Sequence, residues 1–369
     1  MKFTMKKSEL VSAASKIVNV IPKKNIKPVL SGIKIFANEG EIFFNATDME
    51  SSIKIQVETT DVEGSGSYVL DAKTLDDISK NLLNDEVTFS LESNKAIAHT
   101  GAGEIKIPVM NSEDYPELDF EEIGEDITVP RETVLRMMEN VIFCATTDEM
   151  IRNLNGILWE FSGKYLRLVS ADSYRMAVTE EMIYDGDSTP LSFFLSLKSM
   201  KEIQSLLRES DEDDFKIKFD GKRVITKIKK ITFVARLMDV NFPNYKAVIP
   251  ESFQTKVIIN RPELLKALKL IKIIAKSQGD IVKLDISDEQ LTVSARSQDR
   301  GDGEIPFEIK KEGQNMLVAF DPSYLIEGLQ HFQSDEVELN FVDEDNALQI
   351  NDQDLAGFLH IIMPVKIKR

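Results

Sequence analysis

The chain repeats itself three times at a spacing of about 125 residues. Each third opens with a short alternating strand that runs into an amphipathic helix. The three openings are KFTMKKSELVSAASKIV from Lys2, DITVPRETVLRMMENVI from Asp126 and TKVIINRPELLKALKLI from Thr255. A period of this length corresponds to a whole domain rather than to a short solenoid repeat. The chain is therefore predicted to contain three copies of one domain.

Further positions recur in the same register, which coincidental short motifs would not do. The recurring apolar positions are Met5, Val129 and Ile259; Leu10, Val134 and Leu264; Leu75, Met200 and Leu325; and Leu82, Leu207 and Phe332. Asp48, Asp172 and Arg296, each predicted to end a strand, recur at a spacing of 124. The six predicted helices cover residues 6–24, 72–83, 131–145, 198–208, 261–276 and 322–333.

Short alternating segments with turn residues fill the space between the helices and indicate antiparallel strands. Each third is therefore predicted to be α+β. The acidic stretch DFEEIGED from Asp119 and the stretch VIPESFQT from Val248 interrupt the strand pattern and mark the borders. We predict three domains, residues 1–124, 125–252 and 253–369.

The charge is distributed unevenly between the predicted elements. With 45 basic and 62 acidic residues the chain has a net charge of −17, so its surface as a whole does not attract a phosphate backbone. The predicted helices hold 17 basic and 8 acidic residues, a net of +9, which leaves −26 for the remainder. Helices that share one side would form a basic face, whereas the alternative is that their lysines only make exposed helix surfaces soluble.

Several classes of protein are disfavoured by composition and motifs. The single cysteine, Cys144, excludes an internal disulfide framework, and the three histidines lack metal-ligand spacing. The chain has no secretory signal and no apolar run near the roughly 20 residues of a membrane span, so we expect a cytoplasmic protein with no membrane contact. The run Asp211–Asp214 is expected to be a solvated loop.

Catalysis has little support in the sequence. We find no phosphate-binding GxxxxGK(S/T) loop, no GxSxG elbow and no HExxH motif, and therefore expect neither enzymatic activity nor a cofactor. A carboxylate-dependent hydrolase built from Asp48 and Asp172 ranks last among the alternatives, since both residues are predicted to end equivalent strands.

Four motifs resemble one known family. They are NLNGILWEF from Asn153, SADSYRMAV from Ser170, NFPNYKAVIP from Asn241 and the terminal IIMPVKIKR. Together with the triplication, they resemble the bacterial DNA polymerase III beta subunit, the processivity sliding clamp, over the whole chain. Without the family, IIMPVK would indicate only a closing edge strand.

The resemblance implies a head-to-tail homodimer whose six domains form a ring, with helices inside and sheets outside. Such a ring encircles duplex DNA without sequence specificity and tethers the replicative DNA polymerase. The further implied partners are an ATP-dependent clamp loader and repair proteins with clamp-binding peptides. The main alternative is an acidic adaptor that binds peptide motifs without encircling DNA.

The resemblance also implies site residues. Family positions that contact DNA correspond to Lys24, Lys73, Asp148, Arg152 and Asn153, and the charge argument adds Lys198 and Lys201. Asp148 departs from the family pattern, because its carboxylate would repel a phosphate. The family's peptide pocket corresponds to Leu154, Ser173, Tyr174, Arg175, Met176, Pro243, Ala247, Val248, Ile361, Met363, Pro364 and Val365.

Two parts of this pattern differ from many relatives. Ala247 replaces a frequent arginine in the pocket, and Lys368 with Arg369 extends the usual terminus.

At the dimer interface, Ile105 and Ile107 are expected by position to face Ile273 and Ile274 of the other subunit. Ala102 and Glu104 stand there in place of arginines found in some relatives, so the ionic part of that interface is expected to differ.

Overall fold

The computed structural model describes residues 1–22, 27–92, 94–101, 103–183, 188–276, 281–352 and 357–366. Within these residues it contains six α-helices, which confirms the six that were predicted. They are α1 (Lys7–Val20), α2 (Ala72–Asn81), α3 (Arg131–Ile142), α4 (Leu197–Arg208), α5 (Arg261–Ala275) and α6 (Pro322–Leu329). Short 3₁₀ turns occupy Pro28–Ser31, Ser112–Asp114 and Tyr245–Val248.

The described residues also form 26 strands. The first thirteen are β1 (Lys2–Lys6), β2 (Gly32–Asn38), β3 (Glu41–Thr47), β4 (Ser51–Val57), β5 (Thr60–Glu63), β6 (Gly66–Asp71), β7 (Glu86–Glu92), β8 (Lys95–Thr100), β9 (Gly103–Pro108), β10 (Glu125–Pro130), β11 (Gly156–Gly163), β12 (Tyr165–Ala171) and β13 (Arg175–Met182). The others are β14 (Ser188–Ser196), β15 (Asp214–Phe219), β16 (Arg223–Ile228), β17 (Ile231–Arg236), β18 (Thr255–Asn260), β19 (Val282–Ser287), β20 (Gln290–Ser297), β21 (Gly301–Glu308), β22 (Lys310–Gly313), β23 (Met316–Phe320), β24 (Glu336–Phe341), β25 (Leu348–Asp352) and β26 (Phe358–Ile362).

These strands form four antiparallel sheets in two compact units. The first unit, Met1–Arg131 with Lys201–Leu237, holds a sheet of order β5-β1-β7-β8-β9 and one of order β10-β15-β16-β17-β4-β3-β2-β6. The second unit, Glu132–Met200 with Met238–Arg369, holds the sheets β14-β11-β12-β13-β26-β25-β24-β18-β22 and β21-β20-β19-β23.

The two longest sheets run across the predicted domain borders. Strand β17 pairs with β4, so strands from both sides of residue 124 share one sheet. Strand β26 pairs with β13, which does the same across residue 252. The two compact units therefore do not have the same borders as the three sequence repeats. The domain borders at residues 124 and 252 stay a prediction.

The pairing of β26 corrects one expectation. From its sequence alone, IIMPVK indicated a closing edge strand, but β26 lies between β13 and β25 and forms hydrogen-bonded ladders with both. A chain terminus can enter the interior of a sheet when both neighbouring strands belong to earlier segments, which local pattern does not reveal.

A helix-capping contact recurs in all three repeats. The basic residue that begins the first helix of each repeat donates its side-chain N–H to a backbone carbonyl at the end of the second helix. The pairs are Lys7 with Leu82 at 2.7 Å, Arg131 with Leu207 at 3.3 Å, and Arg261 with Leu329 at 3.3 Å. A cation is favoured there because the last carbonyls of a helix lack intrahelical partners and carry partial negative charge.

The recurring apolar positions are buried, as the repeat predicted. The side chains at Met5, Val129 and Ile259, at Leu10, Val134 and Leu264, at Leu75, Met200 and Leu325, and at Leu82, Leu207 and Phe332 all belong to the core. The polar series is less regular. Asp48 and Asp172 directly follow β3 and β12, and Arg296 is the penultimate residue of β20, so all three lie within one residue of a strand end.

The net positive charge of the helices is smaller than predicted. The observed helices hold 13 basic and 8 acidic residues, a net of +5 rather than +9, because Lys6 and Lys276 fall outside them and Lys23 and Lys24 lie outside the described residues. The run Asp211–Asp214 is exposed, and most of it precedes β15, as expected for a solvated loop.

Among the described helices, none is both long enough and apolar enough for a membrane span.

Candidate functional site

The backbone of the candidate peptide pocket is set by a turn after β12. The Asp172 carboxylate accepts hydrogen bonds from the backbone N–H groups of Tyr174 at 2.8 Å and Arg175 at 2.9 Å. The Met363 N–H donates to the Tyr174 carbonyl at 2.8 Å, directly after β26. Aspartate favours such local turns because its short carboxylate reaches the next N–H groups. The turn thus brings Tyr174 and Met363 together.

An apolar surface lies beside this turn, all within the second unit. Met176 and Ile361 are buried there in one cluster with Tyr245 and Ala347, and Leu154 packs against the same cluster. Around it stand exposed apolar side chains, with Tyr174 58%, Val248 55% and Met363 40% exposed. Exposed apolar groups gathered over a packed floor are typical of a docking groove.

The structure places the twelve predicted pocket residues as follows. The exposed members are Ser173, Tyr174, Pro243, Ala247, Val248 and Met363, the partly buried members are Leu154, Arg175, Pro364 and Val365, and the buried members are Met176 and Ile361. The Val365 N–H donates to the Ala319 carbonyl at 2.7 Å, which fixes the segment after β26. Ala247 itself supplies no cationic side chain, although the exposed Lys246 precedes it. Lys368 and Arg369 lie outside the described residues.

Arg175 holds one wall of the pocket in place. Its guanidinium donates to Asp172 at 3.1 Å, to Glu327 at 2.6 Å and to the Phe143 carbonyl at 3.0 Å. It also lies 4.5 Å from the centre of the Tyr324 ring, a cation–π distance. Arg175 therefore links three segments that are far apart in sequence, and its role is to position the wall.

Sequence reasoning missed two residues of this wall and two of the floor. The Tyr324 and Tyr174 rings stack with centroids 6.1 Å apart, and Glu327 holds the arginine beneath them. Tyr245 and Ala347 belong to the floor cluster. The motif NFPNYKAVIP contains Tyr245 and could have indicated it, whereas Tyr324 and Glu327 lie on α6, where the helical pattern signals only packing.

A neutral histidine lies beneath the pocket. Both ring nitrogens of His360 lie near carbonyl oxygens, Nδ1 at 3.1 Å from Met176 and Nε2 at 3.4 Å from Tyr324. Burial, and then the nearby positive charge of Arg175, lower the pKa of His360 to about 3. The adjacent Cys144 is buried, and burial raises the pKa of its thiol. Neither group is accessible for chemistry at neutral pH.

The predicted DNA contacts are only partly brought together. Asp148, Arg152 and Asn153 lie exposed in one loop, where the Ile151 N–H donates to the Asp148 carbonyl at 3.1 Å. The Asp148 carboxylate also accepts a hydrogen bond from the Met150 N–H at 2.9 Å. This hydrogen bond within the loop partly compensates the negative charge of the carboxylate. This loop ends at the pocket residue Leu154.

The predicted DNA-contacting lysines stand on helices. Lys73 is exposed on α2 and Lys201 on α4, while Lys198 is partly buried at the start of α4. Lys24 lies outside the described residues.

The four predicted interface isoleucines differ in exposure. Ile105 is 38% exposed on β9, whereas Ile107 is 3% exposed and belongs to the core of its own unit. On α5, Ile273 is 60% exposed and Ile274 is partly buried. A side chain at Gly303 would come within 2.5 Å of Ile274, so glycine there lets β21 approach the helix.

The ionic part of the predicted interface has one described member. The Glu104 carboxylate lies 3.3 Å from His99 of the neighbouring strand β8, within the same sheet. Ala102 lies outside the described residues. Among the described residues no cluster of histidine, cysteine, aspartate and glutamate has the arrangement of a metal site.

Comparison with known proteins agrees with this architecture. Family models of the DNA polymerase III beta subunit match in order, the N-terminal domain at residues 1–119, the central domain at 128–244 and the C-terminal domain at 246–366. The beta sliding clamp of Bacillus subtilis is 24% identical over 99% of this chain and 100% of its own. That of Escherichia coli K12 is 22% identical over 100% of both chains.

Solved structures show the same likeness. The crystal structure of the DNA polymerase III beta subunit from Thermotoga maritima is 34% identical and superposes with a TM-score of 0.92 over 100% of both chains. The sliding clamp of Bacillus subtilis superposes with a TM-score of 0.93 over 100% of both chains at 24% identity. With three consecutive domain matches and this full-length likeness, the chain belongs to the bacterial DNA polymerase III beta subunit family, the beta sliding clamps.

Proposed function

We propose that two copies of this chain close head to tail into a ring around duplex DNA and tether the replicative polymerase. The observation that carries this proposal is the succession of three beta-subunit domains, which together account for nearly the whole chain. A clamp of this kind holds DNA by enclosing it and supplies no catalysis.

The ring closes through two sheet edges, one in each unit. In the described residues, β9 ends the five-stranded sheet and β21 ends the four-stranded sheet, and neither has a strand on its outer side. Unpaired strand edges readily accept a strand from another chain. Because the two edges differ, pairing one with the other gives a head-to-tail contact, which two copies can close into a ring.

Exposed apolar groups accompany both edges. Ile105 projects from β9, and Leu270 and Ile273 are 57% and 60% exposed on α5, which packs beside β21. Burial of these side chains between subunits would add to the strand pairing, since apolar burial stabilises by roughly 25 cal/mol per Å². Ile107 would support the edge strand from within the core.

DNA contacts in the ring are weak and independent of sequence. Phosphate contacts from lysine or arginine carry no base information and weaken steeply as salt rises. Lys24, Lys73, Arg152, Lys198 and Lys201 supply such contacts, Asn153 adds an uncharged hydrogen-bonding group, and the carboxylate of Asp148 limits their strength. A ring that encloses the duplex needs no stronger attachment, and weak contacts allow it to slide.

The peptide pocket recruits partners to the ring. A polymerase, the clamp loader and repair proteins each insert a short apolar segment between Tyr174, Val248 and Met363. The flexible thioethers at Met176 and Met363 adapt to several sequences. Opening the ring needs the clamp loader's ATP hydrolysis, because this chain has no phosphate-binding GxxxxGK(S/T) motif.

The test of enclosure uses DNA topology. Protein loaded by a clamp loader onto nicked circular plasmid should stay bound through gel filtration, and linearising the plasmid should release it. Bulky proteins fixed at both ends of the linear DNA should restore retention. Equal retention on circular and open linear DNA would contradict enclosure and favour an adaptor that binds DNA or peptides from outside.

A further inference from the structure

The turn that frames the peptide pocket has a counterpart in the first unit. The Asp48 carboxylate accepts hydrogen bonds from the N–H groups of Glu50 at 3.0 Å and Ser51 at 2.7 Å. The Arg236 N–H donates to the Glu50 carbonyl at 2.9 Å, directly at the end of β17. These contacts repeat, one for one, those that the Asp172 turn makes in the second unit.

The match assigns corresponding residues in the two units. Glu50 occupies the place of Tyr174, since each has its N–H bound to the aspartate of the turn and its carbonyl bound by the incoming segment. Arg236 occupies the place of Met363, since each supplies that incoming N–H. The first unit therefore repeats the backbone turn that frames the peptide pocket, with a glutamate and an arginine in place of a tyrosine and a methionine. The Asp220 turn beside the same cavity makes the same backbone contacts.

A cavity of about 460 Å³ opens beside this counterpart turn, within the first unit. Its apolar lining includes Met49, which is 45% exposed, together with Leu118 and Val234. Met49 adopts a positive φ of 77°, a conformation uncommon for a side chain of this kind, and it stands exposed at the turn. The cavity thus has room and apolar surface for a side chain of a partner.

The charges that line this cavity are not all available. Arg223 forms ion pairs with Asp119 at 2.7 Å and with Asp220 at 2.6 Å, so these three groups largely satisfy one another. Arg236 and Lys222 also line the cavity, and neither side chain has an ion-pair partner among the described residues. Two exposed cations therefore remain to bind a ligand.

The charge pattern determines the ligand that fits. A guanidinium binds a carboxylate through two parallel hydrogen bonds and is a frequent anchor of protein interfaces. Glu50 and Glu117 stand at the same cavity and would repel a ligand with several negative charges, such as a nucleic acid. The lining holds four carboxylates and three cations, so the match to an isolated carboxylate beside an apolar group rests on hydrogen bonding by the Arg236 guanidinium and not on the charge of the whole cavity.

We propose that this cavity is a second peptide site, which binds an extended segment carrying one acidic side chain next to an apolar one. The acidic side chain pairs with Arg236, and the apolar one contacts Met49, Leu118 and Val234. The site has a specificity different from that of the peptide pocket and does not depend on enclosure of DNA.

The test separates the two sites in the full-length chain. The protein carries Met363→Lys, which blocks the peptide pocket, and is labelled with a fluorophore. Two bead-bound hexapeptide libraries serve as probes, with central Glu–Leu in one and Gln–Leu in the other. We expect at least tenfold more bright beads in the Glu–Leu library, with retention that falls as salt rises, because the contact is ionic.

Variants then locate the binding. Adding Arg236→Gln should weaken the selected Glu–Leu peptides at least tenfold, whereas Lys216→Gln, at an exposed lysine of the same sheet outside the cavity, should leave them unchanged. Equal numbers of bright beads in both libraries, or binding that survives Arg236→Gln, would overturn the proposal. Binding of an apolar clamp-binding peptide to the unmodified protein is measured separately. That measurement tests the peptide pocket independently of the second site.

Discussion

Met363→Lys tests the peptide pocket through a side chain that is 40% exposed. A fully buried methionine contributes about 1.5–3 kcal/mol, so covering the exposed part with a peptide contributes about 1 kcal/mol. A lysine at the same place loses that contact, and its ammonium must lose water without gaining a partner, which costs about 1–3 kcal/mol more. The loss of about 2–4 kcal/mol corresponds to roughly 30-fold to 800-fold weaker binding.

Calorimetric titration with a clamp-binding peptide measures this loss. Met182→Lys is the matched control, because Met182 is 60% exposed at the far end of β13 and does not belong to the pocket. The control should change peptide affinity less than twofold, and both variants should keep the mass of a dimer in solution. Unchanged affinity in Met363→Lys would refute the placement of the pocket between Tyr174, Val248 and Met363.

Two further outcomes follow from the lysines predicted to contact DNA and from the buried histidine. Replacing these four lysines by glutamate should shorten the products of processive synthesis at least tenfold, whereas the same charge change at exposed strand lysines should not. The first set is Lys24, Lys73, Lys198 and Lys201, and the control set is Lys95, Lys216, Lys227 and Lys310. His360 has a folded pKa of about 3, below its unfolded value of about 6.5, so between these pH values the unfolded chain binds one more proton. The histidine therefore costs stability as pH falls through this range, by up to about 1.4 kcal/mol per pH unit, and the urea midpoint should drop more between pH 6.5 and 5 than in His360→Gln. Parallel profiles of the two proteins would contradict the assignment of a neutral buried histidine.

The position of Arg175 would let the proposed pocket keep one shape while it binds flexible partners. Its guanidinium is held by the carboxylates of Asp172 and Glu327 and lies against the Tyr324 ring. A side chain fixed by several partners loses little further freedom when a ligand arrives, which favours binding. Adaptation is left to the Met363 side chain, which is unbranched and has rotatable bonds.

The repeated domain, its helices and much of its core were readable from the sequence. The spacing of apolar residues along the sequence determines these features. Apolar residues on one face of a helix or strand are buried together, whatever the arrangement of the other elements. Leu75, Met200 and Leu325 kept one register and all became core residues. Asn260 and Asp321 likewise act as N-caps of α5 and α6, a preference that depends only on the next few residues.

Only the tertiary structure decided which distant segments meet. Whether β26 is an edge or an interior strand depends on β13, which lies far earlier in the chain. Glu327 contacts Arg175 across 152 positions, and no local pattern encodes such a pairing. The same holds for Arg236 and Glu50, whose backbone contact depends on the pairing of β17 with β4. Local preferences select the elements, but side chains from remote elements meet only after long-range strand pairing has been settled.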